Sequence, residues 1–236
     1  MFSENAEYLH YGIVVYRNVF TKEIYFLLTL PAISIGLLST AVLNLNNMRD
    51  YQNDKKSKKI LIMGDSISAG YGLRNGMGWV DLMSLRLKNQ NTQIINASIS
   101  GETTAGGRQR VNPLIQQITP DVLIIELGAN DGLRGFPIEM TKGNLDHMIK
   151  SAKTKQIKVL LLGMKIPSNY GADYTNQLQK MYASFATEHQ IAFVPFLLEG
   201  IALRRELFQE DGIHPNETAQ PMILDRVIPK LKPLLQ

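Results

Sequence analysis

Cysteine is absent from the 236 residues. That excludes disulfides, thiolate metal sites and a cysteine nucleophile. It suits the cytosol and the periplasm equally. A large excess of one charge is also lacking: 25 Lys and Arg face 21 Asp and Glu, a net charge of +4. With no Arg-rich helix, no zinc-ligand spacing and no interleaved basic and aromatic residues, nucleic acid is not an expected partner. Three catalytic signatures are missing too. There is no Gly-x-Ser-x-Gly, which excludes the ordinary α/β-hydrolase elbow. There is no Gly-x-x-x-x-Gly-Lys-Ser/Thr loop and no Gly-x-Gly-x-x-Gly after the first strand-like run, so neither nucleotide hydrolysis nor a dinucleotide site is supported.

One long apolar run is present. From Ile24 to Leu45 no residue is charged. The run is long enough to cross a bilayer and too long for the usual buried helix. Lys22 precedes it, and Ser39-Thr40-Ala41 offers small residues of the kind a signal peptidase reads. The favoured reading is export, with cleavage near Ala41 and a periplasmic or secreted product. The alternative is an uncleaved N-terminal anchor that keeps the chain in contact with a membrane through residues 24–45. Arg49, Lys55, Lys56, Lys58 and Lys59 follow the run and outnumber Arg17 and Lys22 before it, which pulls the other way, toward a cytoplasmic domain. Residues 46–59 are polar and charged and read as a linker. The chain thus divides into a leader, 1–59, and a single domain, 60–236.

The domain alternates short apolar runs with helical periodicity. Strands are expected at 59–63, 93–97, 121–127, 157–162 and 191–196. Helices are expected around Trp79–Leu87, at 140–155, at 178–189 and at 218–235. Strands separated by helices imply an α/β fold: a parallel sheet covered on both faces. Ligands then bind at the carboxyl ends of the strands.

Four short blocks fall at that edge. Gly64-Asp65-Ser66 follows the first strand and carries a serine hydroxyl. Asp211-Gly212-Ile213-His214 supplies a carboxylate three residues before an imidazole it can orient. Ser100-Gly101-Glu102 and Gly128-Ala129-Asn130-Asp131 each can supply an N–H donor for a developing oxyanion. Each block alone also reads as a turn or helix cap. Together, in this order and at one edge, they point to acyl transfer to water. Asp131 reads as a residue that ties its loop down, Trp79 as core, and His147 and His189 as surface residues. The segment Gly132, Leu133, Arg134, Gly135, Phe136 and Pro137 directly follows Asn130-Asp131. It is expected to be a deformable, partly apolar loop that closes over the acyl chain.

These blocks resemble those of the SGNH, or GDSL, hydrolases, with Ile67 where the family often has Leu. Within that family, Asn96-Ala97-Ser98-Ile99-Ser100-Gly101, Asn130 to Phe136, Pro167 to Gly171 and Asp211 to Asn216 are similar to the broad-specificity bacterial thioesterase and lysophospholipase branch. The resemblance covers roughly 60–235. The leader and Ala105-Gly106-Gly107-Arg108 depart from it. It implies a three-layer α/β/α sandwich, a flavodoxin-like fold with a five-stranded parallel sheet. It implies Ser66 as nucleophile, His214 as base and Asp211 as its orienter. The oxyanion hole would combine the Ser66 and Gly101 N–H groups with the Asn130 amide. No metal or organic cofactor is required. The implied substrates are acyl esters, acyl-CoA thioesters and lysophospholipids. Carbohydrate O-acetyl ester hydrolysis on the same fold and a catalytically silent binding module are the alternatives.

Overall fold

The computed structural model describes residues 57–236. The 24–45 segment, its Ala41 site and most of the polar linker lie outside them. Among the described residues no helix is long and apolar enough to cross a membrane.

Five strands form one sheet: β1 (Lys58–Gly64), β2 (Thr92–Asn96), β3 (Val122–Glu126), β4 (Lys158–Leu162) and β5 (Ala192–Val194). Their order is β2-β1-β3-β4-β5, and every pair is parallel. This is the flavodoxin-like order. All five residues of β3 are buried, as are the last five of β1, so both read as near-continuous apolar runs rather than alternating ones, with Glu126 closing β3. β5 is shorter than expected because Pro195 cannot donate to the ladder.

Among the described residues seven α-helices fill the connections: α1 (Ser66–Ala69), α2 (Trp79–Leu87), α3 (Thr104–Ile118), α4 (Ala129–Leu133), α5 (Ile138–Thr154), α6 (Ala172–His189) and α7 (Gln220–Leu231). α3 packs on α5 and α5 on α6, while α2 packs on α7, giving a helical layer on each face of the sheet. α6 starts earlier than its apolar periodicity suggests, since its first turns are largely exposed. α7 ends sooner than expected: Pro233 cannot continue the α-helix, and Lys232–Leu235 tightens into a 3-10 turn.

Two expectations are corrected. His189 is not a surface residue. Its ring stacks on Phe185 at 5.6 Å between centroids, and its Nε2 lies 3.0 Å from Asp146. Phe185 is fully buried, so the ring that covers it is drawn in with it. The segment after Asp131 is not a free loop throughout. Gly132 and Leu133 close α4, and Gly132 is buried. A Cβ on Gly132 would lie 3.0 Å from side-chain carbons of Ile166 and Leu178, so this glycine serves close packing rather than flexibility.

α3 is not among the helices expected above, although Val111, Leu114, Ile115 and Ile118 in its second half are spaced as on one helical face. Gly106, Gly107 and Pro113 lie within it and disfavour a helix. Tertiary packing explains Gly107: an added Cβ would sit 2.5 Å from Leu127 Cδ1 and 2.9 Å from Met148 Sδ. The glycine lets α3 approach α5 and the end of β3. Gly107→Val is therefore expected to destabilise the fold by roughly 1–3 kcal/mol through overpacking. Urea unfolding measures this, and a midpoint equal to the parent's would refute it.

Candidate active site

β1 ends at Gly64, and the chain turns directly into α1. Asp65 caps that helix: its Oδ1 accepts the Ile67 N–H at 3.0 Å. Ser66 is the first helical residue, so its own N–H has no carbonyl within the helix to bond. Gly64 is required by close approach. A Cβ there would meet Glu126 Oε2 and the Ser68 side chain at 2.7 Å or less.

The structure brings Ser66, His214 and Asp211 together. Ser66 Oγ lies 2.9 Å from His214 Nε2, across 148 residues of sequence. His214 Nδ1 lies 2.6 Å from Asp211 Oδ2. With Nδ1 donating to the carboxylate, Nε2 is left to accept the serine proton. Asp211 Oδ1 accepts the N–H groups of Ile213 at 2.8 Å and His214 at 3.0 Å. These bonds, led by the His214 N–H, hold the Asp211 carboxyl down at about 2.

A strap closes this loop onto the serine side. Gln209 N–H donates to the His214 carbonyl at 2.8 Å, and its Nε2 donates to the carbonyls of Tyr71 at 2.8 Å and Pro215 at 3.3 Å. The Tyr71 ring leans on the His214 ring, 4.7 Å between centroids and tilted by 44°. Neither Tyr71 nor Gln209 stands out in the sequence. The one available signal is an aromatic set between Gly70 and Gly72, a few residues after Ser66.

The other two expected donors join the same cluster. Asn130 Nδ2 donates to Asp65 Oδ2 and to the Glu102 carbonyl, both at 3.1 Å. One acceptor is the neighbour of Ser66, and the other is the neighbour of Gly101. Gly101 adopts φ of +77°, a left-handed conformation that favours glycine. Glu102 is gripped by Arg110 through Nε at 2.8 Å and Nη2 at 2.7 Å. Burial pushes the Glu102 carboxyl up, and Arg110 opposes the rise. Asp131 does tie its loop down: it accepts the Thr104 N–H at 2.9 Å and the Thr104 hydroxyl. Of the substrate-loop candidates, Arg134 reaches this cluster, with Nη2 3.1 Å from the Gly101 carbonyl. Leu133 packs against the core, Gly135 turns at φ of +67°, and the Phe136 carbonyl accepts the Tyr174 hydroxyl at 2.6 Å. Pro137 caps α5 without a side-chain bond.

Beneath the cluster lies a second carboxylate. Glu126 Oε2 accepts the Asp65 N–H at 3.1 Å and the Ser68 hydroxyl at 2.7 Å, while Oε1 has no hydrogen-bond partner. Burial raises the Glu126 carboxyl well above its ordinary range, and the nearby Asp65 adds to the rise. Burial also pushes Asp65 up, to about 6.

This arrangement matches a known one. Residues 62–220 match the GDSL-like lipase/acylhydrolase family. The chain belongs to that family. It is an SGNH-type carboxylic ester hydrolase. It is 44% identical over 181 residues to the esterase TesA of Pseudomonas aeruginosa, covering 76% of this chain and 90% of that one. It is 38% identical over 176 residues to the thioesterase 1/protease 1/lysophospholipase L1 of Escherichia coli, covering 75% and 84%. A crystal structure of TesA superposes with a TM-score of 0.73 at 44% identity, over 75% of this chain and all of that one.

The raised Asp65 carboxyl carries a stability consequence. Its ordinary value is 3.8, so in the unfolded chain it releases its proton near that pH, whereas the folded chain keeps it until about 6. Between these values the folded hydrolase binds more protons, so rising pH removes stability. The urea midpoint should therefore fall more between pH 4 and pH 6 for the parent than for Asp65→Asn. Parallel pH profiles for the two proteins would refute this.

Proposed function

We propose that this hydrolase cleaves acyl esters, acyl-CoA thioesters and lysophospholipids through an acyl-enzyme on Ser66. The observation that carries the reading is the unbroken line from Ser66 Oγ through both His214 nitrogens to Asp211. As Ser66 Oγ attacks the acyl carbon, its proton passes to His214 Nε2. Asp211 holds the imidazole in the required tautomer and stabilises the imidazolium. The carbonyl oxygen becomes an oxyanion, received by the N–H groups of Ser66 and Gly101 and by the Asn130 amide. On collapse, the bond to the alcohol or thiol breaks, and the leaving group takes the proton from His214. Water then attacks the acyl-enzyme, again giving its proton to His214, and the acid departs as Ser66 recovers its hydrogen.

Both hydrogens of the Asn130 amide point to protein acceptors in the free enzyme. The oxyanion must share or displace one of them. The neutral Glu102 carbonyl is the weaker competitor, since bonds to ionised groups are the stronger kind. The complete set of groups favours catalysis over a silent binding module. For the acyl chain, Arg134 meets Gly101 and leads into Phe136 and Pro137, so residues 134–137 are the segment we assign to reading chain length. Each buried methylene contributes up to about 0.8 kcal/mol, which favours longer chains over acetate.

Ser66→Ala is expected to fold and to lose ester hydrolysis, because among the described residues no other group is placed to form the acyl-enzyme. A fluorophosphonate should label the parent at Ser66 alone. Label at another residue, or substantial turnover by Ser66→Ala, would remove Ser66 from this role. Running p-nitrophenyl esters of increasing length beside acyl-CoA and lysophospholipid identifies the preferred class.

For localisation we assign residues 24–45 as an export signal cut after Ala41, from the uncharged run and the small residues that end it. N-terminal sequencing of protein made with its leader should read from Val42. An intact leader in the membrane fraction would instead establish the anchor.

A further inference from the structure

Asp65 lies outside the triad, yet its side chain bonds both the turn that carries Ser66 and the Asn130 amide. Its side chain is buried, and both of its oxygens accept hydrogen bonds. Oδ1 takes the Ile67 N–H and so fixes the first turn of α1, where Ser66 sits. Oδ2 takes the Asn130 amide at 3.1 Å. Its own N–H is fixed in turn by Glu126, which also holds the Ser68 hydroxyl on the far side of that turn. One carboxylate therefore bridges the segment that bears the hydroxyl and the segment that bears the side-chain oxyanion donor. The two segments leave different strands, β1 and β3, and have no other side-chain bond between Ser66 or its neighbours and Asn130 among the described residues.

We infer that Asp65 is a positioning residue for oxyanion stabilisation: it sets the Asn130 amide relative to Ser66, and its catalytic effect runs through Asn130. The inference rests on the reading of Asn130 as an oxyanion donor. The chemistry of the site makes a carboxylate necessary. Two N–H donors approach it from two directions, and an ionised carboxylate accepts at both oxygens. An asparagine offers one acceptor and one NH2 group. Whichever way it turns, either Ile67 or Asn130 meets a donor with a donor. Freed from Asp65, the Asn130 amide keeps only the Glu102 carbonyl and is no longer fixed against Ser66.

The test is a double-mutant cycle on a short p-nitrophenyl ester, with kcat and KM measured separately. Asn130→Ala is expected to lose roughly 100-fold or more in kcat. Asp65→Asn is expected to lose about 10- to 100-fold in kcat with KM within about twofold, because the donor is displaced rather than deleted. Asp65→Ser keeps an oxygen to cap Ile67 and drops Asn130, so it should show the same kcat loss with the fold retained. Adding Asp65→Asn to Asn130→Ala should lower kcat by less than about threefold more, since both changes remove one function. Full activity in Asn130→Ala would sink the oxyanion role and this inference with it. An impaired Asn130→Ala beside a fully active Asp65→Asn or Asp65→Ser, or losses that multiply in the double variant, would overturn the inference alone. A purely structural Asp65 predicts that multiplication. In the parent enzyme the Asn130 side-chain amide protons should exchange slowly with solvent. Exchange as fast as that of an exposed asparagine overturns the inference without any variant.

Discussion

The site is organised by two carboxylates buried at the ends of neighbouring strands. Gly64 and Glu126 are paired residues in the register of β1 and β3, so the turn after β1 lies directly over the Glu126 side chain. Both carboxyls are raised by burial, and the Asp65 charge lifts Glu126 further. Two full negative charges at this depth would be strongly disfavoured. Donor and acceptor counting separates their states. Asp65 receives an N–H at each oxygen, which suits an ionised group. Glu126 receives both of its bonds at Oε2 and none at Oε1, and it has the larger incentive to remain protonated. This pair then places one negative charge near the oxyanion site instead of two. This matters because a second like charge would oppose the charge that develops on the substrate oxygen.

Much of this was legible in the sequence, for local reasons. The central strands β1, β3 and β4 are near-continuous apolar runs, which is what burial on two faces demands. Asp211 and His214 are three residues apart, and the turn between them is built from bonds to the Asp211 carboxylate itself. Such a motif carries its geometry with it. The Gly64-Asp65-Ser66 block is similar, since strand, turn and cap are consecutive.

What the sequence concealed is what distant segments supply. α3 contains residues that disfavour a helix, and Thr103 makes no side-chain cap bond at its start. The missing cap comes from Asp131, which accepts the Thr104 N–H from the segment after β3. The helix is therefore a tertiary product: Gly107 gives the approach and Asp131 the cap. Gly132 misleads in the opposite direction. Glycine beside a functional asparagine suggests a flexible loop, yet Ile166 and Leu178 press on it and it belongs to a helix. The role of Asp65 was concealed by its very legibility as a helix cap. Its second oxygen faces a residue that follows another strand, and no local pattern encodes that.

The catalytic groups thus divide into two parts with different physical supports. The base loop is largely exposed and held by short-range bonds, with the Gln209 strap joining it to the serine side. Its strap and turn bonds lie largely at the surface, so disturbing them costs little core burial. The oxyanion platform is different. Its supports, Asp65, Glu126, Glu102 and Asp131, are all buried, and they link β1, β3 and α3. A buried polar network is either satisfied or expensive, so this platform is held in one arrangement by the same bonds that hold the sheet edge together. Preorganised donors stabilise an oxyanion because they need little rearrangement when charge develops; for Asn130 it is limited to sharing or releasing the Glu102 carbonyl. The donors therefore belong on the rigid part, where the amides hold still. The proton carrier belongs on the exposed part, where the imidazole can exchange its proton with groups that come and go.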